Sequence, residues 1–318
     1  MRAQIKSGDV DGMYLEYETF GDKKNPCVLL IMGLAVQMLA WRERFCEDLA
    51  AKGFYVIRFD NRDIGLSKHF DELGPPPLVR RVIFNAICGR WFKVGTPYGL
   101  EDMARDSFGL LTALGFEKAH LVGASMGGMI AQTMAIMDPD RVLSLCSIMS
   151  TTGARNLPDG ETKVRMMLLK KPGPTHEDRV NRTIDAITMI SSPQLPSADL
   201  ASYAERVITR SYHPEGATRQ MNAIIAQADR SKDLGGLKMP CVVIHGRGDR
   251  LVPVAHGEAT AAAIGGDVGL VIVDNMGHVV VQRFNETVIS AIVRNAGRGM
   301  GRGSREGLDI SDLDLSLE

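Results

Sequence analysis

Gly123-Ala124-Ser125-Met126-Gly127-Gly128 is the stretch on which the reading of this chain turns. It follows an apolar run, Ala119-His-Leu-Val, and precedes Met129-Ile-Ala-Gln-Thr-Met-Ala, which has helical character. A serine wedged between strand and helix must turn the chain sharply, and the residues two before and two after it must then be small. Gly123 and Gly127 meet that demand. Such a turn lifts the Ser125 hydroxyl to the carboxyl edge of a sheet, at the start of the next helix. There the Met126 N–H has no intrahelical acceptor and faces any negative charge that develops nearby.

Working outward, further apolar runs read as strands buried on both faces. They are Pro26–Met32, Tyr55–Asp60, His120–Gly123, Val142–Ile148, Cys241–His245 and Leu270–Asp274. Continuous β-rich runs rather than strict alternation indicate a parallel sheet. Helical patterns alternate with them at Trp41–Lys52, Leu100–Leu114, Met126–Met137, His256–Ile264 and Asn285–Asn295, the rhythm of a doubly wound α/β sheet. The segment Gly12–Phe20 alternates instead and suits an antiparallel edge hairpin.

Two stretches break the rhythm. Residues 153–231 carry helical patterns rich in Met and Arg with no buried strand, and read as a helical cap inserted between two core strands. Residues 70–99 run from Gly74-Pro-Pro-Pro into an apolar segment ending in Trp91 and Phe92, and read as a lid element. The core is then 1–152 with 232–296. The Gly- and Arg-rich stretch after Gly297, followed by an acidic end, reads as a flexible tail over 297–318.

Composition narrows the functional classes. Of 318 residues, 45% are apolar and 24% charged, as in an ordinary globular protein. A formal net charge of −1 lacks the basic surplus that phosphate neutralisation needs, so nucleic acid is not an expected partner. No apolar run reaches the ~20 residues of a spanning helix, and the N-terminus has no apolar signal core. The 5 cysteines are scattered, with no C-x-x-C, which suits reduced thiols in a cytoplasmic protein. No clustered metal-ligand spacing, Walker loop or dinucleotide glycine pattern is present, so neither metal nor cofactor is expected. A homo-oligomer is compatible with the sequence.

The stretch Gly123–Gly128 resembles the nucleophile elbow of the α/β-hydrolase superfamily. Asp60-Asn-Arg-Asp-Ile-Gly-Leu-Ser is similar to the segment after that family's fourth strand, His245-Gly-Arg-Gly-Asp-Arg-Leu-Val-Pro to its acid loop, and Asn275-Met-Gly-His to its histidine loop. The likeness spans about residues 12–295, apart from the two insertions, and is greatest to small bacterial carboxylesterases, including aclacinomycin methylesterase-like proteins. It implies the chain order serine, acid, histidine. Among the 7 histidines, His278 alone follows the last apolar strand within a Gly-containing loop. For the acid, Asp249 lies in a Gly-rich turn after Cys241–His245 and is favoured; Asp274, four residues from His278, is the rival. The resemblance also points to the Leu34 amide as a second oxyanion donor beside Met126. Relatives commonly carry His-Gly before that position, whereas this chain has Met32-Gly33.

The expected chemistry is therefore acyl transfer by Ser125, His278 and Asp249 on a small-molecule ester, with Trp41, Trp91 and Phe92 as candidate pocket residues. Met166, Met167, Met189 and Met221 are candidates for an apolar wall of the cap. Asp60, Asn61, Arg62 and Asp63 read as a structural charged turn. Carbon–carbon bond hydrolysis with the same triad, amide hydrolysis, and a non-catalytic binding module remain the alternatives. Serine at 125 disfavours the relatives that use an aspartate nucleophile.

Overall fold

The computed structural model describes residues 1–8, 10–74, 96–170, 173–191 and 197–299. Eight strands, β1 (Arg2–Gln4), β2 (Tyr14–Phe20), β3 (Cys27–Ile31), β4 (Tyr55–Phe59), β5 (Ala119–Ala124), β6 (Val142–Ile148), β7 (Cys241–Gly246) and β8 (Gly269–Val273), form one sheet in the order β1-β2-β4-β3-β5-β6-β7-β8. From β4 to β8 every pairing is parallel, and β1–β2 and β2–β4 are antiparallel. The alternating segment of the sequence is thus the antiparallel edge.

Period-2 geometry sends successive strand residues to opposite faces, and both faces are covered. On one face Leu29, Ile31, Ile57, Phe59, Leu121 and Leu145 pack with the apolar sides of α2 (Leu100–Ala113) and α3 (Met126–Met137). On the other, Val28, Leu30, Val56, Val122, Cys146, Val242 and Ile244 meet α1 (Glu43–Ala51) and α10 (Asn285–Gly299). This two-sided burial explains why the central strands read as unbroken apolar runs rather than alternating ones.

Between β6 and β7 the chain leaves the sheet through α4 (Thr162–Leu169), α5 (His176–Ile190), α6 (Ser197–Arg210), α7 (Pro214–Ala226) and α8 (Ser231–Leu234); α9 (Ala255–Ile264) then lies between β7 and β8. Helix α5 begins on a capping box, with Thr175 and Asp178 satisfying each other's backbone N–H groups. Polar contacts fasten this insertion to the sheet. Arg219 on α7 donates to Asp63 through Nε at 2.8 Å and Nη2 at 2.7 Å, and Arg210 on α6 reaches Asp60 at 2.7 Å. Gln37 Nε2 donates to the carbonyls of Val207 and Ser211 at 2.7 and 2.9 Å. The charged turn at Asp60–Asp63 is therefore the seat of the inserted helices.

The strand order reverses between β3 and β5. Chain leaving β3 crosses to β4 on one side, and the later strands build outward on the other. The carboxyl ends of β3 and β5 thus flank a crevice at the switch point, where α/β sheets place their ligands. Among the described helices none is long and apolar enough to cross a membrane.

Candidate active site

Ser125 stands between β5 and α3 with φ 56° and ψ −119°, a left-handed conformation that costs a non-glycine residue about 1–3 kcal/mol. The surroundings hold it there. Its N–H donates to Ile148 O at 2.9 Å, and its carbonyl accepts Gly128 N–H at 2.9 Å and the Ser150 hydroxyl at 2.7 Å. The two elbow glycines are sterically required. A Cβ on Gly123 would lie 2.1 Å from Gly127 O, and one on Gly127 would lie 2.0 Å from Ile31 O.

The three polar residues expected at the carboxyl edge meet. His278 Nε2 lies 2.9 Å from Ser125 Oγ, and His278 Nδ1 lies 2.7 Å from Asp249 Oδ2. An ionised carboxylate only accepts, so Nδ1 carries the proton and Nε2 faces the serine as a base. Asp249 is buried, and its other oxygen accepts the N–H groups of Leu251 and Val252 at 2.9 and 2.8 Å. Burial pushes its carboxyl upward, but the positive charge available on His278 and hydrogen bonds from His245, His278 and Val252 outweigh that and hold it well below the ordinary range. Asp274 stands apart, 75% exposed and paired with Arg247 at 2.6 Å.

The acid loop and the histidine loop are built against each other. Gly248 N–H donates to Met276 O at 3.0 Å, and a Cβ on Gly246 would lie 2.1 Å from that same carbonyl. His245, at the end of β7, places Nε2 2.8 Å from Val252 O and 3.5 Å from Asp249 Oδ2. This second histidine beside the acid was not singled out from sequence, where it reads only as a strand end.

The loop after β3 passes over Ser125. A Cβ on Gly33 would lie 3.1 Å from Ser125 Cβ, so a glycine suits this close approach. Met32 O accepts Asn61 Nδ2–H at 2.8 Å. Thus Met32 is tied by its backbone, through a side chain from the Asp60–Asp63 turn. Met126 opens α3 as its first residue, fully buried, and its N–H points out of the helix start. Leu34 follows Gly33, is partly buried and packs against the apolar cluster beneath α2 and α3.

Other expected pocket residues fare differently. Trp41 is 3% exposed and stacks on Phe45 with ring centroids 5.2 Å apart, beside Leu49 and Phe284 in the sheet core. At the head of α1 this aromatic packs at the helix–sheet interface, where it also borders a small cavity with Arg42, Val280 and Gln282. Met166 is 67% exposed, which removes it from an enclosed apolar wall. Trp91 and Phe92, the 75–95 part of the lid segment, and the tail from 300 onward lie outside the described residues.

Among the described residues, His69, Asp71 and His213 bring three possible metal-ligand atoms within 4.8 Å of one another. The two rings stack at 3.8 Å and 3°, so their lone pairs lie in parallel planes and do not converge. The Arg219 guanidinium, fixed by Asp63, also stands 3.1 Å from His213 Nε2. This group is built as a polar contact between the Asp60–Asp71 segment and α7.

Comparison with known proteins adds four findings. The family described as alpha/beta hydrolase fold matches residues 26–281. Rhodomycin D methylesterase DauP of Streptomyces sp. (strain C5) is 27% identical, over 89% of this chain and 94% of its own length. A 2-hydroxy-6-oxononadienedioate/2-hydroxy-6-oxononatrienedioate hydrolase of Paraburkholderia xenovorans (strain LB400) is 29% identical over 80% of each chain. Among solved structures, the enol-lactonase from Burkholderia xenovorans LB400 superposes with a TM-score of 0.68 at 20% identity, covering 91% of this chain and 99% of that one.

Proposed function

The chain belongs to the alpha/beta hydrolase fold family, and we propose that within it the protein is a serine hydrolase cleaving a small to medium hydrophobic carboxylic ester through an acyl-enzyme. The observation that carries this reading is the continuous hydrogen-bonded line from Ser125 Oγ through the His278 ring to the buried Asp249.

In the proposed reaction Ser125 Oγ attacks the ester carbonyl while His278 Nε2 takes its proton. Asp249 keeps the ring in the required tautomer and stabilises the imidazolium. The carbonyl oxygen, now negative, is met by the Met126 and Leu34 amides. His278 then returns the proton to the departing alcohol, and a water activated by the same nitrogen releases the acid and restores Ser125. Residues 153–231 act as a cap over the carboxyl edge of the sheet and supply the walls that choose the substrate. Similarity to a rhodomycin D methylesterase favours a simple alcohol such as methanol as leaving group. Similarity to the 2-hydroxy-6-oxononadienedioate hydrolase supports one rival, in which the same three residues cleave a carbon–carbon bond.

The test is turnover of p-nitrophenyl and methyl esters by the purified full chain. Ester hydrolysis lowered about 10⁴-fold or more by Ser125→Ala supports the reading. Inertness toward all esters together with cleavage of a vinylogous diketone would transfer the site to the rival.

A further inference from the structure

Both loops that flank the nucleophile are held from outside the sheet, by the inserted helices. On one side Ala35, with φ 60°, donates its N–H to Gln220 Oε1 at 2.9 Å. Gln220 lies on α7 and is fully buried; its Nε2 donates to Arg62 O at 2.8 Å. On the other side the carbonyl of Ile190, at the end of α5, accepts His278 N–H at 2.6 Å. A Cβ on Gly277 would stand 2.6 Å from that carbonyl, so the two backbones are in close contact.

The geometry around Gly33 makes the first of these contacts consequential. The Gly33–Leu34 peptide is suspended between two anchored points, Met32 O on Asn61 and Ala35 N–H on Gln220. Gly33 itself has no side chain to restrict its backbone dihedrals. The peptide's own carbonyl accepts Val36 N–H at 3.4 Å across the turn, and the two anchors on either side hold that turn, and with it the direction of the Leu34 N–H. A glutamine suits the far anchor because one planar amide accepts from Ala35 and donates to Arg62 O, satisfying two backbone groups at once.

We propose that Gln220 is a positioning residue for the hydrolysis: from the inserted helix it aims the Leu34 amide at the developing oxyanion, so that Ser125 works at full rate only while α7 is docked. The inference rests on the serine-hydrolase reading and on Leu34 as an oxyanion donor. Gln220 touches no reacting atom. Its effect runs through the backbone of the loop, and it belongs to turnover rather than to substrate affinity.

The experiment compares Gln220→Met, which loses both hydrogen bonds, with Gln220→Glu, which keeps an acceptor for the Ala35 N–H. Each is made in the full chain, with kcat, KM, the inhibition constant of a boronic acid analogue of the tetrahedral intermediate, and Tm as readouts. The expected result for Gln220→Met is kcat down about 10- to 100-fold with KM within about threefold, and analogue binding weakened by the same factor as kcat. Gln220→Glu is expected to stay within about threefold of wild type in kcat. Unchanged kcat in Gln220→Met, or a loss carried by KM, overturns the proposal. Should Gln220→Met not fold, the glutamate variant decides alone: a folded Gln220→Glu whose kcat falls 10-fold or more while analogue binding stays unchanged overturns it, whereas kcat and analogue binding that are kept together or lost together support it. Wild type is also titrated with an organophosphonate. No adduct at Ser125 removes the serine-hydrolase reading itself, whereas an adduct with normal turnover in both variants removes only the role of Gln220.

Discussion

Asp249 Oδ2 lies 2.7 Å from His278 Nδ1, while the other oxygen of the same carboxylate is committed to the backbone N–H groups of Leu251 and Val252. The acid is thereby fixed in both position and charge before any substrate arrives. An amide in its place has a donor and an acceptor, and the loop N–H groups claim the acceptor. The remaining NH₂ then faces His278 Nδ1, moves the ring proton to Nε2 and leaves no base for Ser125. Asp249→Asn is expected to lower kcat about 10⁴-fold at neutral pH. Asp274→Asn, at an exposed ion pair, should leave kcat within about twofold. Steady-state ester kinetics on the two variants distinguish the acids, and the opposite ranking would move the role to Asp274.

Gly127→Ala tests the strain of the elbow. The added methyl would sit 2.0 Å from Ile31 O, a backbone atom in the middle of the sheet, and no side-chain rotation relieves that. A loss of about 3 kcal/mol or more is expected, seen as a lowered Tm or insoluble expression. A variant as stable as wild type would show that β3 yields more readily than its central place suggests.

Arg62 and Asp106 form a buried two-pronged ion pair, Nε to Oδ2 at 2.5 Å and Nη2 to Oδ1 at 2.7 Å, each residue 2% exposed. Removing one partner leaves a charge in the interior without compensation. Asp106→Ala should therefore cost about 3–5 kcal/mol, and the double change Arg62→Met with Asp106→Leu should recover most of it. Denaturant unfolding of both variants measures the difference. A double variant less stable than the single one would contradict the argument.

His120 gives the fold a sensitivity to acid. Its ring is buried beside Ser144 Oγ at 2.9 Å and edge-on to Phe54, and burial pushes its pKa down to about 4. The unfolded chain takes up this proton near pH 6.5, whereas the folded chain resists until about pH 4. Neutral His120 thus costs nothing above pH 6.5, and stability falls as pH drops through that window, by up to about 3 kcal/mol. His120→Gln should flatten the decline of Tm between pH 6.5 and 4, even if its stability at pH 8 is lower. An identical slope in the variant would assign the decline to other groups.

The parts of this molecule that sequence exposes are those determined locally. The Ser125 elbow is legible because a strand, a tight turn and a helix leave only small residues room at 123 and 127, and the six strands expected from apolar runs lie where those runs fall. Trp41 is not decided by sequence, because an aromatic at a helix head reads the same whether it faces a pocket or a sheet. Gln220 was invisible for another reason. It is 185 residues from Ala35, and a polar residue on an amphipathic helix carries no mark of the backbone group it will meet. His245 was passed over because a strand-end histidine has no periodic signature, although it sits four residues before the acid it touches.

Because the end of α5 and the middle of α7 bind the backbone of the loops that carry His278 and Gly33, the inserted helices are not an interchangeable module. A chimera that exchanged this region for that of a relative would bring new walls to the substrate. It would also take away the acceptors of the Ala35 and His278 amides. Recombination of specificity in this scaffold has to move in matched sets, the helix together with the loop it holds, or the transplanted pocket will arrive over a disordered machine.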